Sequence, residues 1–174
     1  LYYKRGIEQE DKGVLKQFRD IFEVDTENYI SYCTTTQNIL NSSFKDIDSK
    51  IKIHSWEDIK PNLYKAVQKI KIMSINGQSA DTLEYYENEK TGISVIAIGG
   101  DKLSRGLTLE GLSVSYFLRA SKMYDTLMQM GRWFGYRPGY VDLCRLFTSS
   151  ELNEWFRHIT MASEDLREEF DAMW

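Results

Sequence analysis

Two stretches of this chain combine residue types that could handle a phosphorylated ligand. The first runs Gly99-Gly100-Asp101-Lys102-Leu103-Ser104-Arg105-Gly106-Leu107-Thr108-Leu109-Glu110-Gly111-Leu112. Its glycines let backbone N–H groups come close to a phosphate, and Lys102, Ser104 and Arg105 add two cations and a hydroxyl beside them. A surface crossover whose glycines only make turns would look the same from spacing alone. The second stretch is Gln129-Met130-Gly131-Arg132-Trp133-Phe134-Gly135-Tyr136-Arg137-Pro138-Gly139-Tyr140. Arg132 and Arg137 stand there among aromatic residues that could hold them rigid, and a guanidinium is well suited to stabilise charge developing on a transferring phosphoryl group. The alternative is that Trp133, Phe134 and Tyr136 are core and the arginines are solvated or cap helix-end carbonyls.

The elements that must position these stretches follow from hydrophobic periodicity. Ile93-Ser94-Val95-Ile96-Ala97-Ile98 is a near-continuous apolar run that ends in Gly99-Gly100, the pattern of a parallel strand buried on both faces with a loop at its carboxyl end. The segments 113–118 and 143–147 predict two further strands, and 71–75 a fourth. Met123 to about Phe134 reads as a helix between strands, and a small acidic helix over 83–89 is expected to stop by Gly92. Ser55, with Asp58 three residues on, predicts a capping-box start for a helix through Ile59, Leu63, Ala66, Val67 and Ile70, in which Pro61 must mark the first turn or kink it. The last segment places Leu152, Trp155, Phe156, Ile159, Ala162, Leu166, Phe170 and Met173 on one stripe, a helix capped by Ser149 or Ser150. Strands alternating with helices imply a wound, mainly parallel α/β sheet, and ligands of such sheets sit at the carboxyl ends of the strands.

The first 50 residues are less regular. Val14, Leu15, Phe18, Ile21 and Phe22 recur at helical spacing and predict one helix over Lys12 to Glu23. After it, Tyr29–Cys33 is expected as a strand, and Thr34-Thr35-Thr36-Gln37-Asn38 through Asn41-Ser42-Ser43 as loop.

Taken together, the two glycine- and arginine-bearing stretches are more specific than either alone. Leu103-Ser104-Arg105-Gly106-Leu107 after an apolar strand resembles motif V of superfamily 2 helicases, and Gln129-Met130-Gly131-Arg132 resembles their arginine-finger motif, in the right order. Closer still, Ile96 to Leu112 followed by Tyr124-Asp125-Thr126-Leu127-Met128 and Gln129 to Arg137 is similar to the signature of the Z-one domain family, a group associated with endonucleases. The resemblance covers roughly residues 55 to 174. It implies an α/β fold of the RecA-like three-layer kind with a mainly parallel sheet over residues 51–174, preceded by a helical N-terminal extension over 1–50.

The resemblance also implies roles. Arg132 would be the finger reaching the γ-phosphate of ATP, with Arg137 a second cation. Gly100, Asp101, Gly106 and Gln129 would border the nucleotide, and Lys102, Ser104 and Arg105 would couple it to bound nucleic acid. The chain departs from the general helicase pattern at three points. Gln129 is one residue closer to the Gly-Arg pair, the next arginine is Arg137 where the motif spacing falls on Gly135, and Thr108 stands where many helicases carry an acidic residue. No GxxxxGK[ST] phosphate loop occurs in the sequence. The expectation is therefore a partner lobe, inactive alone, closing on a first RecA-like lobe that lies outside this chain and binds most of the ATP and Mg2+. The chain itself reads as a piece of something longer. DNA is the expected nucleic-acid partner, and the resemblance implies a restriction or defence context.

Composition sets outer bounds. A chain of 174 residues that is 42% hydrophobic and 13% aromatic can build a substantial core. The net charge of −4 excludes a global basic field. Charge is uneven, however: Gly99 to Phe147 carries seven basic and four acidic residues, a net of +3 that leaves −7 to the remainder. That asymmetry suits an anion-facing edge on an acidic domain. Cys33 and Cys144 form no CxxC pair, no stretch approaches the length of a membrane span, and a cytoplasmic location without membrane attachment is expected.

Two other functional classes remain open from sequence. Asp48-Ser49-Lys50 with Asp25 upstream loosely fits a nuclease's divalent-ion carboxylates and lysine. A non-catalytic binding or docking module that kept the fold is the other. Histidine-based metal chemistry has little support, because His54 and His158 are lone and far apart, and no serine or cysteine carries a local activating pattern.

Overall fold

The computed structural model describes residues 1–75, 88, 92–100, 109, 111–118 and 137–173. The chain divides into two units, one of Leu1–Gly106 with Arg137–Asp142, the other of Leu107–Tyr136 with Leu143–Trp174.

The first unit opens with an α-helical hairpin. Helix α1 spans Tyr2–Glu8 and α2 spans Lys12–Glu23. The turn between them has the hydrogen bonds of a Schellman ending, with Asp11 N–H donating to the Gly6 carbonyl and Glu10 N–H to that of Ile7. Glu10 occupies the left-handed position of that ending at φ 50°. Asp11 then starts α2 as its N-cap, accepting from the Val14 N–H at 2.9 Å. The helices come close at Gly6, where an added Cβ would sit 2.5 Å from a Val14 methyl, and Val14 is 1% exposed. Across the same unit, Phe22 of α2 packs a tilted ring against the buried Trp56.

The segment after α2 corrects the sequence reading. Tyr32–Leu40 is helix α3, where a strand followed by loop was expected, and Phe44–Ile47 forms a further short helix, α4. The N-terminal extension therefore holds four helices instead of the single one expected. Three successive threonines weaken helix propensity, which is why the pattern misleads. The start is secured by a local polar cluster: Ser31 accepts from the Thr34 N–H, and Asp25 accepts from the Ser31 N–H at 2.8 Å and from the Thr34 hydroxyl at 3.0 Å. Thr35 turns its hydroxyl back to the Ser31 carbonyl.

The capping box at Ser55 forms as read, with Ser55 and Asp58 each satisfying the other's backbone N–H. The helix it begins is broken up by Pro61. Helix α5 covers Trp56–Ile59, a 3-10 turn holds Pro61 in its first positions over Lys60–Asn62, and α6 covers Leu63–Lys69. Ile70 is the C-cap, and strand β1, Lys71–Ile75, follows directly.

Strand β2, Val95–Gly99, pairs parallel to β1 from Lys71↔Val95 to Ile75↔Gly99. The alternating parallel logic of the sequence reading holds here, but burial on both faces does not. Ile75 is fully buried, whereas Ile72, Ile96 and Ile98 are 71%, 50% and 59% exposed. A parallel strand is covered on both sides by its crossover connections, and most of residues 76–94, including the small acidic helix expected over 83–89, lies outside the described residues. Gly92, where that helix was expected to stop, has φ 70° and donates its N–H to the Asn88 carbonyl.

In the second unit, β3, Val114–Tyr116, pairs parallel to β4, Arg145–Phe147. Both fall within the expected strands. Helix α7, Ser150–Ala172, is capped by Ser149, which accepts from the Leu152 N–H at 3.2 Å. The expected apolar stripe is only partly used: Leu152 is buried and Trp155, Phe156 and Ile159 are half-buried, but Leu166, Phe170 and Met173 are exposed. The helix expected over 123–134 lies outside the described residues. The observed class is α/β with short parallel strands.

Two outcomes follow. Gly6→Ala is expected to destabilise the chain by about 1–3 kcal/mol in a urea melt, because backbone or Val14 must shift to admit the methyl. The carboxyls of Asp25 and Asp58 are held below the ordinary carboxylate range, first by the backbone N–H of Ser31 and of Ser55 respectively, then by nearby hydroxyls. Depressed folded values mean that their stabilisation is present above the unfolded value of about 4 and is lost as pH falls through the lowered folded values. Asp25→Asn with Asp58→Asn should therefore lower stability at neutral pH and flatten its fall toward acid, as read by melts from pH 7 downward.

Candidate phosphate-facing site

Of the candidate residues, Gly100 and Arg137 are described. Asp101, Lys102, Ser104, Arg105, Gly106, Gln129 and Arg132 lie outside the described residues. Gly100 directly follows β2, at the carboxyl end of a parallel strand, the position the sequence reading gave it. Among the described residues, a Cβ there would meet no atom within 4 Å.

Arg137 begins a four-residue turn, Arg137-Pro138-Gly139-Tyr140. The sequence suits a type II turn, with proline pre-setting φ at the second position and glycine supplying positive φ at the third. The structure agrees: Gly139 has φ 80°, and the Tyr140 N–H donates to the Arg137 carbonyl at 3.3 Å. The Arg137 guanidinium lies over the Tyr140 ring, 4.3 Å from its centroid, within range of a cation–π interaction.

Two contacts with distant parts of the sequence hold this turn and its exit in place. Asp48, 2% exposed, accepts the Gly139 N–H at 2.6 Å on one oxygen and the Lys50 N–H at 3.1 Å on the other. Asp142 is 6% exposed and begins to leave the turn through a 3-10 segment, Val141–Leu143. Its carboxylate accepts the Thr36 hydroxyl of α3 at 2.8 Å. Gly139 also lies close to Lys50, whose Cβ would be 3.3 Å from a Cβ added at the glycine. Residues 137–142 are thus tied to the N-terminal helical region at positions 139 and 142.

Neither Asp48 nor Thr36 was read as contributing to the Arg137 region. A signal for Asp48 existed, since an aspartate two residues before Lys50 can make an Asx turn, but nothing local announces its second partner 91 residues away. The same contacts bear on the nuclease reading. Asp48 and Asp25 are both committed to backbone N–H groups in separate local motifs, and among the described residues no group of three or more His, Cys, Asp or Glu side chains could hold a metal ion. His54 and His158 are both exposed. Cys33 sits partly buried, and burial pushes its thiol pKa up, away from nucleophilic use. No described helix is long and apolar enough to cross a membrane.

The sequence matches the family model of the Z1 domain over residues 2–174. The chain belongs to the Z1 domain family. No curated protein and no solved structure matches it. Because the match begins at residue 2, helices α1–α4 are part of the Z1 domain, whereas the sequence reading confined the resemblance to about residue 55 onward. Within that span, Asp48 accepts from the Gly139 N–H and the Thr36 hydroxyl donates to Asp142, so residues 36 and 48 of the N-terminal region brace the Arg137 turn.

Gly139→Ala is expected to cost about 1–2 kcal/mol of stability from left-handed strain alone, with the Lys50 contact adding to it. Chemical denaturation should register the loss, and Pro138→Ala, which only removes a preset φ, should cost less.

Proposed function

We propose that this Z1 domain is the second, arginine-bearing lobe of a nucleic-acid-dependent ATPase, RecA-like in architecture, and that it closes on a first lobe outside this chain. In this reading Arg132 reaches the γ-phosphate and Arg137 is the second cation. Gly100, Asp101, Gly106 and Gln129 border the nucleotide. Lys102, Ser104 and Arg105 transmit its state to bound DNA. The observation that carries the reading is the parallel pairing of β1 and β2, which delivers Gly100 to a strand's carboxyl end immediately before the Asp101–Gly106 stretch.

The donor groups fit a phosphate-facing lobe better than a magnesium-holding one. Arg137 is fixed by a built turn and an aromatic ring, and among the described residues no carboxylate cluster suits a divalent ion. ATP and Mg2+ would be held mainly by the first lobe, where the metal neutralises phosphate charge. The residues of this chain would orient the nucleotide's far end and stabilise charge as it develops on the phosphoryl oxygens. The net +3 of residues 99–147 within an acidic chain suits such an anion-facing edge. A role within a DNA-cleaving restriction or defence machine belongs to the same proposal.

One observation favours a second reading, a non-catalytic docking module. The apolar residues Leu166, Phe170 and Met173 of α7 are exposed, as are Ile72, Ile96 and Ile98 of the β1–β2 sheet.

ATP hydrolysis by the protein carrying both lobes, with and without duplex or single-stranded DNA, separates the two. The motor reading expects DNA-stimulated turnover that Arg132→Ala lowers by about 10³-fold or more. Wild-type protein that hydrolyses nothing under any condition, or Arg132→Ala indistinguishable from it, would leave the docking module as the better reading.

A further inference from the structure

We propose that Asp48 is a positioning residue for Arg137, acting through the backbone of the Arg137–Tyr140 turn; the inference rests on the ATPase reading above for its catalytic consequence, though not for its geometry. An arginine carries several rotatable bonds, and a guanidinium that must meet a phosphoryl group gains from being held before the ligand arrives. Here the holding is a chain of contacts. The guanidinium rests on the Tyr140 ring at 4.3 Å, and the ring is carried by the last residue of the turn. The turn's third residue, Gly139, donates its outward N–H to Asp48 at 2.6 Å.

Asp48 is built for this one direction. It is 2% exposed, and its other oxygen accepts the Lys50 N–H at 3.1 Å, so the carboxylate cannot rotate without breaking a local turn. A hydrogen bond from a backbone amide to a carboxylate is stronger than its neutral counterpart. Three residues on, the Thr36–Asp142 bond fixes the exit of the same segment. Gly139 and Asp142 are both held, which limits the turn that carries Arg137, and the Tyr140 ring at 4.3 Å limits the guanidinium.

The test uses the protein carrying both lobes, as wild type, Asp48→Ala, Asp48→Asn, Arg137→Ala and the Asp48→Ala/Arg137→Ala double variant. DNA-stimulated kcat and KM for ATP are measured for each. Asp48→Ala is expected to lower kcat by about 10- to 100-fold, the scale of a misplaced catalytic group, with KM within about 2-fold. Asp48→Asn keeps an acceptor oxygen and should recover part of the loss, and it carries the comparison if Asp48→Ala does not fold. In the Arg137→Ala background, Asp48→Ala should cost nothing further. A wild-type kcat in the Asp48 variants, or an undiminished loss in the Arg137→Ala background, would overturn the role.

If Arg137→Ala turns over ATP like wild type, or wild type turns over none, the failure lies in the ATPase reading. Positioning is then read on the 174-residue chain from the 15N heteronuclear NOE of the Arg137 Nε–H. A fall in Asp48→Asn, with the Arg5 signal unchanged, supports the role. An unchanged Arg137 signal overturns it.

Discussion

A carboxylate removed from water must be met by hydrogen-bond donors in fixed places. Asp48 and Asp142 impose that demand on this domain. Each takes a donor from a segment about a hundred residues away, the Gly139 amide for one and the Thr36 hydroxyl for the other. The cost of leaving either unmatched means that α3, the loop around Asp48 and residues 137–142 must assemble together. Other features of the first unit fall into line with this requirement. The Asp25–Ser31–Thr34 cluster sets where α3 starts, and so where Thr36 stands. The Gly6–Val14 approach packs α1 against α2, and the Phe22–Trp56 rings pack α2 against α5.

The consequence for function is that the N-terminal helices are not an appendage. Through Thr36 and Asp48 they brace the turn that carries Arg137, one of the two arginines singled out for phosphate chemistry, and the family match over residues 2–174 includes them. A guanidinium stacked on Tyr140 at the end of a pinned turn is a pre-organised cation. Such pre-organisation is what charge stabilisation in a transition state requires, and it costs no reorganisation when the ligand binds.

Much of the fold was legible in local chemistry, and what was missed is instructive. Capping signals and strand punctuation were reliable because each involves neighbours: Ser55 with Asp58, Ser149 before α7, and the apolar run of β2 that ends at Gly99-Gly100. Helix α3 was misread because three threonines argue against a helix, and the compensating contacts come from Asp25 upstream and Asp142 far downstream. The exposure of Ile96 and Ile98 could not be read from an apolar run, since burial depends on what covers the strand. In the candidate site, Pro138 and Gly139 suit the turn at Arg137, which the sequence reading did not name. Its anchor was not legible, because an aspartate that completes a local turn gives no sign of where its second oxygen points.

The central claim is that residues 137–142 belong to the same cooperative structure as α3. Native-state hydrogen exchange tests it directly, through the amide of Gly139 compared with amides inside α3. The account predicts that Gly139 exchanges as slowly as the α3 amides and that both respond together to added denaturant. Rapid exchange at Gly139, at a rate expected of a surface turn and independent of α3, would contradict it.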